Sequence, residues 1–218
     1  MSHHETSSQH HDRETRLRFM RISESTGNAL REFWPVVEKA LPNVLNGFYS
    51  HLAGEPNLVK LVGNQAERLK GAQGVHWGRL FNGRFDEAYI QGVRTIGMVH
   101  NKIGLEPRWY IGGYAFVLSH LTDLAVRTYR WKSKRASQII TAVNSAVMLD
   151  MDFAISVYQE VMLAELEETK KRAEADKKAA MNKMADDFQA AVGGVVTAVA
   201  GAAQQMQSNA RSMTATAE

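Results

Sequence analysis

Apolar positions recur every three or four residues along most of the chain, the periodicity of helices that pack by one face. Leu30, Phe33 and Val37 follow this spacing, and the same pattern returns in later segments. No stretch alternates apolar and polar residues with a sustained period of two, as half-buried strands do. The pattern therefore predicts an all-α fold.

Turn-forming and capping residues divide the pattern into segments. Pro42 is expected to open one helix and Pro107 another, because proline suits the first turn. Gly83 and Gly104 should end helices, and Asp86 should cap the helix between them. The resulting seven or eight helices of mixed length favour a globin-like packing over a simple bundle.

The last third of the chain follows a different pattern, with charges of both signs crowded into residues 165–187 and few charges after Phe188. Two seven-residue series run through it, and such heptads predict a coiled-coil extension. A flexible tail is the alternative. The first series is Met181, Phe188, Val195, Ala202, Asn209 and Thr216, and the second is Ala185, Val192, Val199, Met206 and Met213.

Composition excludes several classes of protein. The 26 basic and 23 acidic residues are interspersed, which argues against a nucleic-acid interface. The absence of cysteine removes disulfides, thiolate metal sites and thiolate-ligated haem. The longest apolar run, from Ala190 to Ala203, is shorter than the roughly 20 residues of a membrane span. We expect a cytoplasmic protein with no membrane span.

His100 is the unusual histidine, because it falls on an apolar stripe with no acidic residue within one helical turn. A buried histidine bonded to a backbone carbonyl is one interpretation. Zinc is disfavoured, since no second ligand stands three or four residues away. Haem needs one neutral imidazole and apolar walls, so His100 is also a candidate iron ligand. The stripe consists of Val93, Ile96, His100 and Ile103.

Two features of the sequence favour haem. Gly97 and Gly104 lie one turn from His100 on either side and would let a flat macrocycle approach the helix. Tyr49 lies beside Phe48 and Leu52 on an apolar face, where its hydroxyl needs a hydrogen-bond partner such as a bound gas. A tyrosine whose hydroxyl reaches the surface is the alternative.

Three segments resemble the sensor globins of bacterial globin-coupled sensors, over about residues 16–165. The most specific motif is a histidine followed by IGLEP and a tryptophan–tyrosine pair. The matching segments are FYSHLAGEPNL, ERLKGAQGVHWGRLFNGRFDEAYI and IGMVHNKIGLEPRWYIGGY.

The resemblance implies haem b, with His100 as the proximal iron ligand and Tyr49 as the distal tyrosine. Tyr110 matches a proximal-side tyrosine that is linked to signalling. Where some relatives have a distal threonine this chain has Ala72, so Gln73 is expected to assist Tyr49. The predicted cofactor-binding residues are His100, Tyr49, Phe48, Leu69, Ala72, Gln73, Ile96, Ile103, Trp109 and Tyr110.

The two remaining histidine patterns have ordinary interpretations. His76 and Trp77 also match the family and are interpreted as structural. His51 and His120 are expected to be surface or satisfied core residues.

The implied function is to sense dioxygen, or another diatomic gas, without catalytic residues. The tail resembles the opening of a methyl-accepting chemotaxis transducer, so chemotaxis signalling proteins are possible partners through a further C-terminal part. Three alternatives stay open: an enzyme acting on nitric oxide or peroxide, a sensor globin with another output, and a helical interaction module without a cofactor.

We predict three parts: a disordered tail over 1–14, a haem-binding sensor globin domain over 15–165, and a helical linker with the start of a signalling rod over 166–218. A homodimer is expected through residues 107–165, because two long helices carry more apolar surface than one domain covers. The apolar stripe assigned to this interface is Ile139, Ile140, Val143, Val147, Met151, Ala154 and Tyr158.

Overall fold

The computed structural model describes the backbone of residues 3–216 and the side chains of residues 11–212. Within that range all regular structure is helical, which confirms the predicted all-α class. The chain forms two compact units, Met1–Val161 and Met162–Glu218. The helices are α1 (His3–Phe19), α2 (Glu24–Leu52), α3 (Pro56–Val62), α4 (Ala66–Asn82), α5 (Glu87–Lys102), α6 (Pro107–Thr128) and α7 (Ser133–Thr216).

Helix α2 is longer than the sequence indicated, since Pro42 lies inside it and does not begin a new helix. An internal proline removes one backbone hydrogen bond and costs about 3 kcal/mol. Pro35 and Pro42 are both exposed, so each missing hydrogen bond lies on the solvent-facing side of α2. The opposite face of α2 is buried from Leu30 to Phe48, and this packing outweighs the cost of the two prolines.

Helix boundaries around α5 agree with the sequence. The Asp86 carboxylate accepts a hydrogen bond from the backbone N–H of Tyr89 at the start of α5. Gly83 ends α4 with a φ of 67°, and a Cβ at Gly83 would lie 2.6 Å from the Cα of Gly27. Glycine is required at Gly83 for both reasons. Gly104, with a φ of 75°, follows the end of α5, and Pro107 opens α6.

The first part of α7 belongs to the core of the first unit. Four residues of its apolar stripe, Ile139, Val143, Val147 and Ala154, are buried inside the chain, and the other three, Ile140, Met151 and Tyr158, are half-buried. The sequence analysis assigned this stripe to a dimer interface, and that assignment is wrong. The stripe packs against α2, α4, α5 and α6 of the same chain, because a central helix satisfies the same spacing as an interface helix.

The N-terminal segment differs from the predicted disordered tail, because α1 begins at His3. Arg16 donates hydrogen bonds to Asp152 and Ser156 of α7, at 2.5 and 2.8 Å, and its guanidinium lies 4.7 Å from the centre of the Phe153 ring. Leu17 packs on the core. These long-range contacts stabilise a helix whose local sequence is polar. The side chains of three of the four tail histidines lie outside the described residues.

The second unit is the continuation of α7, helical as far as Thr216. The heptad residues from Met181 to Met206 are exposed, and the side chains of Met213 and Thr216 lie outside the described range. Among the described residues one stretch, Ser133–Ser212, is long and apolar enough to cross a membrane, but half of its most apolar window is buried in the structure. Core packing of α7 accounts for that apolar window.

Candidate functional site

His100 lies near the end of α5, half-buried, with its ring 5.0 Å from the ring of Tyr110 on α6. Among the described residues its Nδ1 is a buried atom without a hydrogen-bond partner. Burial, assisted by the nearby His76, lowers the pKa of His100 to about 4. The imidazole is therefore neutral near pH 7, the form that binds a metal ion.

Tyr110 and Tyr114 form a buried pair behind His100, with their hydroxyl oxygens 2.9 Å apart. The Tyr114 hydroxyl donates to the carboxylate of Asp150 on α7, and Tyr89 of α5 donates to the same carboxylate. His76 of α4 places its Nε2 2.9 Å from Asp150. A polar cluster from four helices thus lies next to the histidine, and burial raises the pKa of each of the three tyrosines.

Tyr49 is half-buried near the end of α2, and burial raises its pKa to about 12. It remains protonated and can donate a hydrogen bond at physiological pH. Its ring meets the ring of Phe48 edge-on at 5.5 Å. Phe48 in turn packs closely on Gly113 of α6, where a Cβ would lie 3.3 Å from that ring. The end of α2 therefore lies against the same helix, α6, that carries Tyr110.

The predicted site residues of α4, Leu69, Ala72 and Gln73, differ in how far they are buried. Lys70 lies 5.7 Å from the centre of the Tyr49 ring, which brings the start of α4 next to the end of α2. Leu69 and Gln73 are half-buried, and the Gln73 Oε1 is a buried atom without a partner among the described residues. Ala72 is exposed. Of these two residues, Gln73 therefore supplies a buried polar atom on α4, and Ala72 lies at the surface.

The remaining predicted residues lie around His100. Ile96 and Trp109 are half-buried, and Tyr110 is buried. Ile103 is 46% exposed, so the apolar stripe of α5 does not extend past His100 into the interior. The histidines expected at the surface, His51 and His120, are both exposed.

Gly97 has a different role from the one the sequence indicated. A Cβ at this position would lie 2.7 Å from the carbonyl oxygen of Ala154, so Gly97 faces the backbone of α7 and does not make room for a macrocycle. Gly104 has open space around its Cβ position and ends the helix. The absence of a side chain at Gly97 serves the close approach of two helices.

The residues around His100 fit a haem group. Within the described residues no group of three or more histidine, aspartate or glutamate side chains is arranged to hold a metal ion, and haem iron needs only one protein ligand. His100 supplies a neutral, partly buried imidazole with an unpartnered nitrogen. The half-buried side chains of Ile96 on α5 and Trp109 on α6, which precede His100 and Tyr110 in their helices, would pack on a bound haem.

The family model described as Protoglobin matches residues 9–164. The chain belongs to the Protoglobin family. This match covers the first compact unit and confirms the resemblance to sensor globins. Haem, the cofactor predicted from the sequence, is the cofactor that this family indicates.

One relative, the heme-based aerotactic transducer HemAT of Halobacterium salinarum, is 31% identical over 111 residues. The match spans 50% of this chain and 23% of that protein, so this chain covers about a quarter of the relative's length.

Solved structures confirm the globin fold of this protoglobin. The globin domain of a Geobacter sulfurreducens globin-coupled sensor aligns with a TM-score of 0.63 at 19% identity, over 66% of this chain and 96% of that one. The ferric globin domain of E. coli DosC aligns with a TM-score of 0.55 at 15% identity, over 66% and 97% of the two chains.

Sequence analysis missed three members of the polar cluster, Tyr89, Tyr114 and Asp150. Asp150 carried a usable signal, since it is an acidic residue on the otherwise apolar stripe that contains Val147 and Ala154. A charged residue at such a position has to find partners. The partners themselves come from other helices, and their spacing along the chain gives no indication of them.

Proposed function

We propose that this protoglobin chain is a haem-based sensor domain for dioxygen, or for another diatomic gas. The observation that carries the proposal is His100, a half-buried, neutral imidazole whose Nδ1 has no hydrogen-bond partner among the described residues. His100 is also the residue that matches the iron ligand in the resemblance to sensor globins. Haem b bound there would supply the iron atom that binds the gas. The relative named as a heme-based aerotactic transducer supports this function.

In this proposal the chain's residues divide between two sides of the haem. His100 holds the iron, and Tyr110 packs against its ring. Tyr49, protonated at neutral pH, would donate a hydrogen bond to the bound gas, and the Gln73 oxygen, without a partner among the described residues, lies on the neighbouring helix. The haem-contacting set otherwise consists of Phe48, Leu69, Ala72, Ile96, Ile103 and Trp109.

We further propose that the chain senses the gas without chemical turnover. The printed names of its relatives describe a transducer and globin-coupled sensor domains, which favours sensing over an enzyme that acts on nitric oxide or peroxide. Negligible steady-state consumption of either substrate by the haem-loaded chain is the expected result. Sustained turnover with an electron donor would contradict it.

The signalling part of the proposal concerns residues beyond the haem site. We propose a sensor domain over 15–165, a rod over 166–218 and a cytoplasmic homodimer that pairs through residues 107–165. Exposed apolar side chains on these helices, Ile111, Val126 and Met148, support a pairing surface. Output to chemotaxis proteins rests on the name of the HemAT relative, of which this chain covers only part.

The direct test is an ultraviolet–visible spectrum of the purified chain supplied with haem. We expect an intense Soret band in the wild-type chain and in the control His120→Ala, which changes an exposed histidine. His100→Ala should lose or loosen haem, because the iron ligand is gone. A His100→Ala variant with the wild-type ferrous spectrum would show that another group binds the iron.

A further inference from the structure

Among the residues of the first unit whose side chains the structure describes, Asp150 is the most deeply buried charged residue, with an exposed fraction of 0%. Its carboxylate accepts hydrogen bonds from the hydroxyl groups of Tyr89 and Tyr114, and His76 Nε2 lies 2.9 Å from it. These partners come from three different helices, α5, α6 and α4. Asp150 therefore ties helix α7 to α5, which carries the proposed haem ligand, and to α4 and α6.

A buried carboxylate is costly for a fold of this kind. Moving it out of water is strongly unfavourable unless hydrogen bonds replace its hydration. An apolar residue at this place on the stripe of α7, like its neighbour Leu149, would avoid that cost. Hydrogen bonds from three donors to one carboxylate fix the orientation of each donor, however, and an apolar residue cannot orient them in this way.

One of the three donors leads directly to the proposed haem ligand. The Tyr114 hydroxyl, held by Asp150, lies 2.9 Å from the Tyr110 hydroxyl, one turn earlier on α6. The ring of Tyr110 lies 5.0 Å from the ring of His100, tilted by 59°. The path from Asp150 to His100 therefore consists of two hydrogen bonds and one ring contact.

We propose that Asp150 is a positioning residue for His100, acting through Tyr114 and Tyr110. The inference rests on the proposed haem function. Asp150 fixes Tyr114, Tyr114 fixes the rotamer of Tyr110, and the Tyr110 ring limits the orientations of the His100 imidazole. Residues behind a metal ligand set its orientation in this way, and their loss commonly changes metal affinity 10- to 100-fold.

The cluster contains its own matched control. Tyr89 also donates a buried hydrogen bond to Asp150, but its ring stacks on His76, at 6.3 Å and 15°, whereas the Tyr114 hydroxyl is the one that contacts the Tyr110 hydroxyl. Tyr89→Phe and Tyr114→Phe each remove one hydroxyl from the same carboxylate. A general loss of stability affects both variants alike, whereas a change at His100 is expected only for Tyr114→Phe.

The experiment uses the full chain loaded with haem, as wild type and as Tyr110→Phe, Tyr114→Phe, Tyr89→Phe and Asp150→Asn. Resonance Raman spectra of the ferrous, gas-free form report the iron–histidine stretching band. The rate of haem transfer to an excess of a haem-free acceptor globin reports how firmly His100 holds the iron. Tyr114→Phe keeps the test decisive if Asp150→Asn does not fold.

We expect Tyr114→Phe to shift the stretching band in the same direction as Tyr110→Phe and to speed haem loss about 10-fold or more. The Tyr110→Phe, Tyr114→Phe double variant should match Tyr110→Phe alone, because both changes interrupt one path. Tyr89→Phe should keep the wild-type band and rate.

A wild-type band in Tyr114→Phe, or an equal shift in Tyr89→Phe, would overturn the positioning role while leaving haem binding intact. A wild-type chain that takes up no haem would overturn the proposed function, and this inference with it. The first measurement, haem content of the wild-type chain, separates the two failures.

Discussion

At the scale of single residues, the surroundings of His100 determine its chemistry. An exposed histidine titrates near pH 6.5, but burial brings the pKa of His100 to about 4. The group stays neutral over the whole range in which a haem protein operates. The same effect on Tyr49, whose pKa rises to about 12, keeps its hydroxyl protonated. Burial therefore leaves one side chain a neutral imidazole and the other a protonated hydroxyl, the forms that the proposed roles of iron ligand and hydrogen-bond donor require.

The lowered pKa of His100 predicts how the stability of the haem-free chain depends on pH. In the unfolded chain His100 takes up a proton near pH 6.5, and in the folded chain only near pH 4. The stability that the neutral His100 contributes is therefore complete above pH 6.5 and is lost as the pH falls towards 4. As the pH falls over that interval, the free energy of unfolding should decrease in both proteins, and by about 1 to 3 kcal/mol less in His100→Leu than in wild type. Urea titrations at several pH values measure this difference. If the free energies of unfolding of the two proteins follow parallel curves against pH, the prediction is wrong.

Tyr49→Phe tests the donor on the distal side. Removing its hydroxyl should speed dioxygen release, because a hydrogen bond to a partly charged acceptor is worth roughly 1.5 to 3 kcal/mol, about 10- to 150-fold in rate. Carbon monoxide affinity should change less, since that ligand is a weaker acceptor. Stopped-flow dissociation of both gases provides the comparison. Equal changes for the two gases would argue against Tyr49 as the donor.

At the scale of elements, α5 and α7 are held in one register by several unlike contacts. The Gly97 backbone meets that of Ala154, and Arg94 forms a two-point salt bridge with Glu160. The Tyr158 hydroxyl donates to the carbonyl of Leu105 just after α5, at 3.0 Å. A shift of the helix that carries His100 therefore has to move α7 or break these contacts.

Gly97→Ala should destabilise the chain, although alanine normally favours a helix by about 1 kcal/mol over glycine. The new Cβ would lie 2.7 Å from the carbonyl oxygen of Ala154, a backbone atom, and such overpacking costs about 1 to 3 kcal/mol. Thermal or urea unfolding measures the effect.

The matched control is Gly92→Ala in the same helix, where the nearest atom to a new Cβ is the end of the Arg79 side chain at 3.6 Å. That variant should be neutral or more stable than wild type by up to about 1 kcal/mol. If the two substitutions have the same sign and size, the close approach of α5 and α7 at Gly97 does not limit the stability of the fold.

At the scale of the whole molecule, the proposed dimer depends on surfaces that the chain itself leaves uncovered. The buried stripe of α7 is committed to the core, so pairing is left to exposed apolar residues such as Ile111 on α6 and Met148 on α7. We expect Ile111→Glu and Met148→Glu to give monomers at micromolar concentration while keeping the haem spectrum. Light scattering after size-exclusion chromatography measures the mass.

The rod provides the complementary test. A chain that ends at Leu166 should remain dimeric with an unchanged haem spectrum and dioxygen affinity, because the pairing surface and the proposed haem residues all precede that point. Loss of dimerisation on truncation would move the interface into residues 166–218. A monomeric wild-type chain would reject the proposed pairing altogether.

The sequence by itself determined the helical class, most helix boundaries and the family, because periodicity, caps and a specific motif are local properties of the chain. It also led to the proposal of His100 and Tyr49 as site residues. It could not assign the stripe of α7, since a core helix and an interface helix have the same apolar spacing. Nor could it explain why residue 97 is glycine, because the reason is the nearby backbone of Ala154 on another helix.

Only the tertiary structure decided which polar groups meet in the interior. Asp150 gathers Tyr89, Tyr114 and His76 from helices far apart in sequence, and no spacing rule connects residues on different helices. The burial that lowers the pKa of His100 has the same origin, because it comes from every element packed around α5. Long-range packing and desolvation depend on the complete fold, and local sequence patterns do not contain them.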